Sequence, residues 1–494
     1  MAVDKKTTLM ISFLKPPPPR ALLPEEKIGP TYKRLRLQVF LGAFIGYAGY
    51  YLVRKNLALA IPGMIQPVEN GGLGYTKLEL GIALSAISIA YAFSKFLMGA
   101  LSDRSDARKF LVIGLVLSSA LMISVGLFPF ATSSVAIIFM FMLVIGWIAG
   151  MGWPPCGRVM VHWFSHNERS FKMSLWNTSH TFGSGLMGNL AALGTVLIGG
   201  LFVADIGAGI IVEQSWRSVF VFPGAVAMLI AIICYLTLRD TPQSCGLPPI
   251  DKYRNDVSVK KELSSEAKIP LKDLFINYIF RNKILWMIAL ANIFVYLVRY
   301  GIGDWSPTYS QEAGLLNSEQ SKMAFSLHNY AGVPGTILCG LLSAKYFKGR
   351  CAPANVIFML LVTVFIIIYW KAVPVSSFIS ETFSTDLATT RVTVVYSALI
   401  AIGFFIYGPV ALIGVQAVNL VPKNAAGTAA GFVGLFGYLI GDALLSKVLI
   451  GAVADNVNYG WEATFWIFIA ASVLAAVFSA TTWKREREAC AING

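Results

Sequence analysis

The chain of 494 residues is 56% hydrophobic and only 13% charged, with 40 Lys and Arg against 26 Asp and Glu and a formal net charge of +14. A soluble globular chain is about one quarter charged, so this composition points to a lipid bilayer and excludes a string of soluble domains. The basic excess would suit nucleic acid, but no basic patch with interleaved aromatics on a soluble module accompanies it, and no nucleic-acid partner is expected.

The opening stretch, MAVDKKTTLMISFLKPPPPR, lacks a long apolar core and a small-residue cleavage site, which argues against a signal peptide; residues 1–36 read as an extended cytoplasmic tail. Apolar segments then fall at 37–65, 79–101, 110–130, 134–157, 173–203 and 217–238. After a polar stretch they resume at 284–309, 320–343, 353–372, 391–419, 424–451 and 460–483. Each is long enough to cross a hydrocarbon core of about 30 Å. The expected fold is an all-α membrane protein of twelve transmembrane helices, with six-helix halves at 37–238 and 284–483. A charged cytoplasmic linker with one amphipathic helix, 239–283, joins them, and a tail, 484–494, follows. Thirty of the 40 Lys and Arg lie in segments that place both termini inside, five lie in the opposite loops and five within spans, which is the positive-inside pattern. Cys156, Cys234, Cys245, Cys339, Cys351 and Cys490 form no Cys-x-x-Cys pair and fall in helices or on the cytoplasmic side, so reduced thiols are expected.

The halves repeat one another. Tyr-Leu-Val-Arg occurs at 51–54 and at 296–299, which sets Arg54 and Arg299 245 positions apart. Gly99-Ala-Leu-Ser-Asp-Arg is echoed by Gly340-Leu-Leu-Ser-Ala-Lys. Two parallel six-helix repeats with a site between them is a transporter arrangement.

Both arginines lie mid-span, where a guanidinium costs about 2.5–3.5 kcal/mol on insertion scales. Tyr47, Tyr51 and Arg54 share a helix face by their spacing, and Asn292, Tyr296 and Arg299 repeat it. Two guanidinium forks, one from each half, suit a single group with several oxygens and about two charges: a phosphate monoester or inorganic phosphate. His180 is on one face with Trp176 and Asn177 and either donates to that anion or packs in the core. Lys95 follows Tyr91 by one turn and either joins the cavity or snorkels to the surface. Lys55 and Asp304 are opposite charges in spans one and seven, a candidate switchable pair between the halves. Tyr407 and Tyr438 are membrane tyrosines that serve either packing or the site. Asp442 and Lys447 lie five apart, a poor spacing for a same-face α-helical pair; Lys447 is expected either to snorkel outward or, with Asp442, to set substrate specificity. Gly183, Gly185 and Gly188 in span five and Gly437 and Gly441 in span eleven permit close helix contact. No nucleophile–base pair flanks the arginines, and no metal-ligand cluster or GxxxxGK[ST] motif occurs, so no catalysis, metal, cofactor or ATP drive is expected.

"GALSDRSDARK" resembles the loop signature of the major facilitator superfamily. "GYAGYYLVRKN", "SIAYAFSKF", "GMGWPPCGR", "RDTPQSCGLPP", "RYGIGDWSPTY" and "VPKNAAGTAAGF" are similar, nearly end to end, to the bacterial organophosphate:phosphate antiporter family, nearest its glycerol-3-phosphate branch. The resemblance implies the major facilitator fold and exchange of external glycerol 3-phosphate for internal phosphate across a bacterial inner membrane, by rocking of the halves. It implies substrate contacts from Arg54, Arg299 and His180, with Lys95, Tyr47, Tyr51, Tyr91, Tyr296, Tyr407 and Tyr438 around them. It also implies an inter-domain salt bridge between Lys55 and Asp304. A monomer in the lipid bilayer is expected. Three positions depart from the family pattern. Asn329 in "LHNYAG" replaces an acid, so one inter-domain salt bridge is expected to be lacking. Ala344 replaces an aspartate of the second loop signature. Asp442 and Lys447 stand where the glycerol-3-phosphate branch is uncharged, whereas the hexose-phosphate branch has an acid and a lysine nearby. A hexose 6-phosphate:phosphate antiporter and a non-transporting organophosphate sensor on the same fold are the alternatives.

Overall fold

The computed structural model describes residues 13–207, 209–254, 279–419, 421 and 426–492. In hydrocarbon, backbone polar groups must be satisfied within the segment that carries them, which leaves the α-helix as the way across. Ten helices among the described residues are long and apolar enough to cross a membrane on those grounds alone. They form spans two to seven (Lys77–Ser102, Ala107–Leu127, Val135–Ala149 with Trp153–Trp163, His166–Asn177 with Ser179–Ile198, Ser218–Thr237, Lys283–Glu312) and nine to twelve (Ala352–Trp370, Leu387–Asn419, Ala426–Phe436 continuing to Ala454, Gly460–Ile492). Spans one and eight complete the twelve. Span one is interrupted: helix Glu25–Leu52 stops, and Asn56–Met64 resumes after Val53, Arg54 and Lys55. Span eight, Ser318–Leu341, is continuous but carries Ser321, Lys322, His328 and Asn329, all buried against neighbouring helices.

The expected spans are therefore present, with several changes at their edges. The first helix begins at Glu25, inside the expected tail, where Glu25 and Glu26 in the first turn favour the helix dipole. The last runs on to Ile492. The loop after span nine contains a further helix, Ala372–Phe383. After span five a hairpin pairs β1 (Val203–Asp205) antiparallel with β2 (Ile211–Glu213), Ala204 opposite Val212. Most of the expected linker, 255–278, lies outside the described residues; the described part holds one short helix, Ile250–Arg254. Cys156, Cys234, Cys245 and Cys339 are free thiols, and Cys490 is outside the residues whose side chains are described.

The sequence repeat reappears as a packing repeat. Span one packs on five as seven packs on eleven, two on four as eight on ten, and three on six as nine on twelve. Between the halves, two packs on eleven and eight on five, a relation that also maps onto itself. Helix starts follow the same rule. Asp240, just after span six, accepts from the Ala107 amide at 3.0 Å, and Glu486, late in span twelve, accepts from the Ala352 amide at 2.8 Å. Each carboxylate thus caps the third span of its own half. Burial raises the pKa of Asp240, and the capped Ala107 amide opposes that shift.

Span eleven leaves α geometry. Gly437–Leu449 is a π-helix, in which each turn is one residue wider. It presses on span seven through Gly437 and Gly441, where a Cβ would strike the Asn292 amide nitrogen and the Ile293 carbonyl. At the turn where the helix widens, Asn292 Nδ2 donates to the Val433 carbonyl at 2.8 Å.

Spans eight and ten meet just as tightly, because a Cβ on Gly335 would collide with the Phe404 carbonyl and one on Gly403 with that of His328. Gly335→Ala is therefore expected to lower the melting midpoint of the detergent-solubilised protein by the equivalent of about 1–3 kcal/mol of overpacking. Gly434→Ala, at a position with open space around it, should leave the midpoint unchanged. Equal melting of the two variants would refute the tight contact.

Candidate functional site

Arg54 lies in the break of span one and is 6% exposed, while Arg299 lies within the continuous helix of span seven and is 9% exposed. Non-helical backbone is tolerated at membrane depth only where protein or a cavity surrounds it, which places the break at the centre of the bundle. Among the described residues neither guanidinium has a carboxylate within ion-pairing distance. Aromatic faces surround them instead. The Arg54 guanidinium carbon is 4.0 Å from the Tyr91 ring centre and 5.4 Å from that of Tyr51, whose hydroxyl accepts from Nη1 at 3.5 Å. That of Arg299 is 4.6 Å from Tyr407, 4.7 Å from Tyr300 and 5.9 Å from Tyr296. Each such contact is worth about 0.5–2 kcal/mol and offsets burial without neutralising the charge.

Tyr438 joins the two cages, with its ring 5.3 Å from Tyr91 and 5.2 Å from Tyr296. Tyr47 stands one layer back, 5.5 Å from Tyr51 and 4.9 Å from Trp176. Trp176 is buried, and its indole donates to the Ala43 carbonyl at 3.1 Å. His180 sits between the halves, 5.7 Å from Tyr51 and 6.4 Å from Tyr407. Its Nδ1 donates to the Asn177 carbonyl, and Nε2 is 3.2 Å from the Thr181 hydroxyl.

Two cavities serve this region. A small one of about 20 Å³, the space of one water, is lined by Arg54, Arg299, Lys55, Asp304, His328 and Tyr407 among others. A chamber of about 660 Å³ opens between spans two, four, five and eleven at the end where the chain termini lie. Lys95, Trp153, Arg158, His162 and Tyr438 line it, and neither Arg54 nor Arg299 does. Lys95 belongs to this chamber, 5.8 Å from the Trp153 ring and unpaired with any carboxylate among the described residues.

A buried ionic cluster adjoins the small cavity. Lys55 Nζ meets Asp304 at 2.5 Å, and Lys447 Nζ meets Asp442 at 2.9 Å and lies 4.0 Å from Asp304. Ser88 of span two donates to Asp442 at 2.6 Å and also meets Lys447. The expectation that a spacing of five is poor for a same-face pair is overturned, because the π-helix advances by about five residues per backbone-bonded turn and stacks Asp442 on Lys447. Outward snorkelling of Lys447 is overturned with it, since that residue is 2% exposed. Asn329 bonds within its own half: its Oδ1 accepts from Tyr407 at 2.7 Å, and its Nδ2 donates to the Phe325 carbonyl at 2.8 Å.

Sequence reasoning missed Tyr300, Ser88 and His328. Tyr300 adjoins Arg299 in the chain, so helical spacing assigned it to another face. Ser88 and His328 reach the site through the packing of spans two and eight, which no local pattern encodes.

Away from the termini the halves are shut. Lys77 Nζ pairs with Glu312 at 2.9 Å, and Trp461 donates to the same carboxylate at 2.7 Å. Asp455, at the end of span eleven, accepts from the Lys77 and Leu78 amides at 2.9 and 2.7 Å and so caps span two from the other half. Lys322 donates to Thr195 at 2.7 Å.

A family model described as the Major Facilitator Superfamily matches residues 39–446. The chain is 47% identical to a protein named glycerol-3-phosphate transporter from Bacillus subtilis (strain 168), over 97% of this chain and 99% of that one. It is 32% identical to a probable hexose phosphate transport protein of Chlamydia trachomatis, over 94% of each. Among solved structures, the nucleoside transporter NupG superposes with a TM-score of 0.63 at 13% identity, over 90% of this chain and 99% of that one, which is a likeness of fold.

Removing one member of a buried ion pair costs about 3–5 kcal/mol, whereas replacing both with apolar groups is often neutral. Asp442→Asn is accordingly expected to lower the melting midpoint sharply, and the double variant Asp442→Asn with Lys447→Met to recover most of the loss. A double variant no more stable than the single one would show that the two side chains do not compensate each other.

Proposed function

The chain belongs to the major facilitator superfamily, and on that footing we propose that it exchanges glycerol 3-phosphate for inorganic phosphate across a bacterial inner membrane. One observation carries the reading: Arg54 and Arg299 are buried, one from each half, with no carboxylate partner among the described residues, while Lys55 and Lys447 beside them are paired. A site with two uncompensated cations matches a ligand with about two negative charges and several oxygens, which a phosphate monoester and phosphate share. The name carried by the Bacillus subtilis relative supports the three-carbon ester. So does the pairing of Lys447 with Asp442, which withholds that cation from the ligand.

In this reading Arg54 and Arg299 grip the phosphoryl group, one fork from each half. Tyr51, Tyr91, Tyr296, Tyr300 and Tyr407 hold the guanidinium planes, Tyr438 joins the two cages, and Tyr47 backs Tyr51. Lys95 draws the anion from the chamber towards Tyr438, and His180 lies between the halves at the ligand's edge. The sealed end faces outward and the chamber faces the cytoplasm, with both termini. The moving bodies are residues 37–238 and 284–483, joined by 239–283 within a monomer. An empty site holds two like charges whose repulsion opposes closure. A bound dianion removes that repulsion and lets the halves rock, so only a loaded carrier reorients and exchange outruns leak. The Lys55–Asp304 pair breaks and re-forms as the halves part.

The test is labelled phosphate exchange in proteoliposomes preloaded with phosphate, challenged separately with glycerol 3-phosphate and glucose 6-phosphate. Exchange with the three-carbon ester is expected, falling about tenfold or more in Arg54→Lys and in Arg299→Lys, because a lysine cannot reproduce the bidentate fork. Exchange by Arg54→Lys at the wild-type rate would overturn the clamp. Preference for glucose 6-phosphate would replace the substrate, and ester binding without flux would replace transport by sensing.

A further inference from the structure

We infer that His328 is a specificity-determining residue that reads a hydroxyl group on the organic part of the ligand, accepting its hydrogen bond at Nε2. The inference rests on the phosphate-ester reading above and adds to it the group that distinguishes a polyol phosphate from a plain alkyl phosphate.

His328 is 2% exposed in span eight and lines the same small cavity as Arg54 and Arg299. Its Nδ1 lies 3.0 Å from the carbonyl oxygen of Leu399 in span ten. A carbonyl oxygen cannot donate, so Nδ1 carries the proton and, in the neutral ring, Nε2 carries the lone pair. Among the described residues Nε2 has no hydrogen-bond partner. The tautomer is held by packing as well as by that bond. Spans eight and ten touch so closely that a Cβ on Gly403 would strike the His328 carbonyl itself, and the ring has no freedom to withdraw from Leu399. Its other edge therefore stays available to the cavity.

The other polar groups of the cavity make an acceptor scarce. Arg54, Arg299 and Lys55 are donors only. Asp304 accepts from Lys55 through Oδ1 at 2.5 Å, and its Oδ2, 4.0 Å from Lys447 Nζ, has no hydrogen-bond partner among the described residues. The Asn329 oxygen is taken by Tyr407 and its amide nitrogen by Phe325. The hydroxyls of Ser184 and Tyr300 turn freely and serve in either sense. Phosphoryl oxygens are acceptors and are matched by the arginines, whereas a carbon-bound hydroxyl brings a donor that must find an acceptor once water is excluded. Apart from Asp304 Oδ2, whose negative charge opposes the approach of an anionic ester, His328 Nε2 is the acceptor that this lining leaves unengaged, on a histidine whose ring is 6.2 Å from Tyr407, which also lies 6.4 Å from His180.

The experiment measures competition against labelled phosphate uptake into phosphate-loaded proteoliposomes by two esters of equal chain length, glycerol 3-phosphate and 1-propyl phosphate, which lacks the hydroxyls. Wild type is expected to favour glycerol 3-phosphate by about tenfold or more, since a site built to accept a hydroxyl rejects the analogue without one. In His328→Phe, which keeps a ring but no acceptor, that ratio should fall to about twofold or less. His328→Gln, whose amide oxygen restores an acceptor, should recover much of the ratio. A wild-type protein that does not separate the two esters would overturn the inference without recourse to any variant. So would a His328→Phe or His328→Leu protein that loses both esters by the same factor, the result expected of a packing or cationic role. Failure of the wild type to exchange phosphate at all would instead remove the phosphate-ester reading, and this inference with it.

Discussion

A guanidinium buried at membrane depth has to be compensated by something, and Arg54 and Arg299 are compensated by aromatic faces. The choice of partner governs what the centre can do. A carboxylate beside each would have produced a neutral, self-satisfied core with no use for an anion. A tyrosine face supplies about 0.5–2 kcal/mol of attraction and leaves the charge in place. The number of tyrosines that converge from spans one, two, seven and ten follows from this requirement: two planar cations of this size need several rings to cover them. The glycines that let the spans approach closely follow in turn, because the rings reach the guanidinium planes only if the helices stand near one another.

The bonds between the halves form two groups with different energetics. Those at the sealed end are partly exposed: Lys77 with Glu312, and the Asp455 cap on span two. When they part, water can take over the freed amides and charges, so the cost of opening there is modest. Those near the arginines lie deeper: Lys55, 13% exposed at its side chain, meets a fully buried Asp304, and Ser88 meets the buried Asp442 and Lys447. Breaking them without replacement strands an ion in a dry interior. The inner group can open only if another charge or water arrives as it does so, which ties the movement of the halves to what occupies the space between them.

Span eleven shows how a local distortion creates a site component. A π-helix is rare because its backbone bonds are strained, yet thirteen residues adopt it here. Two features offset the strain. Span seven presses on Gly437 and Gly441, where no side chain can stand, and the Asn292 amide engages the Val433 carbonyl at the point of widening. The outcome is that Asp442 and Lys447 neutralise each other within a single helix, beside but apart from the two arginines.

The sequence by itself determined that the chain crosses a bilayer twelve times, that its halves are duplicates, and that each half carries one mid-membrane arginine. Those conclusions rest on properties a residue carries wherever it is placed: the transfer cost of its side chain, the reach of a helix, the repetition of a word. Pairing Lys55 with Asp304 was legible for the same reason, as two opposite charges at such depth have few other destinations. Only the tertiary structure decided that the arginines lie among tyrosines, that Lys95 faces a separate chamber, that Asp442 meets Lys447 across a widened turn, and that His328 turns one nitrogen to Leu399. These depend on helix rotation, on the register between spans remote in sequence, and on a departure from 3.6-residue geometry that the spacing rules assume. Local chemistry names which groups are costly to bury, and the packing of the helices chooses the partner that each one meets.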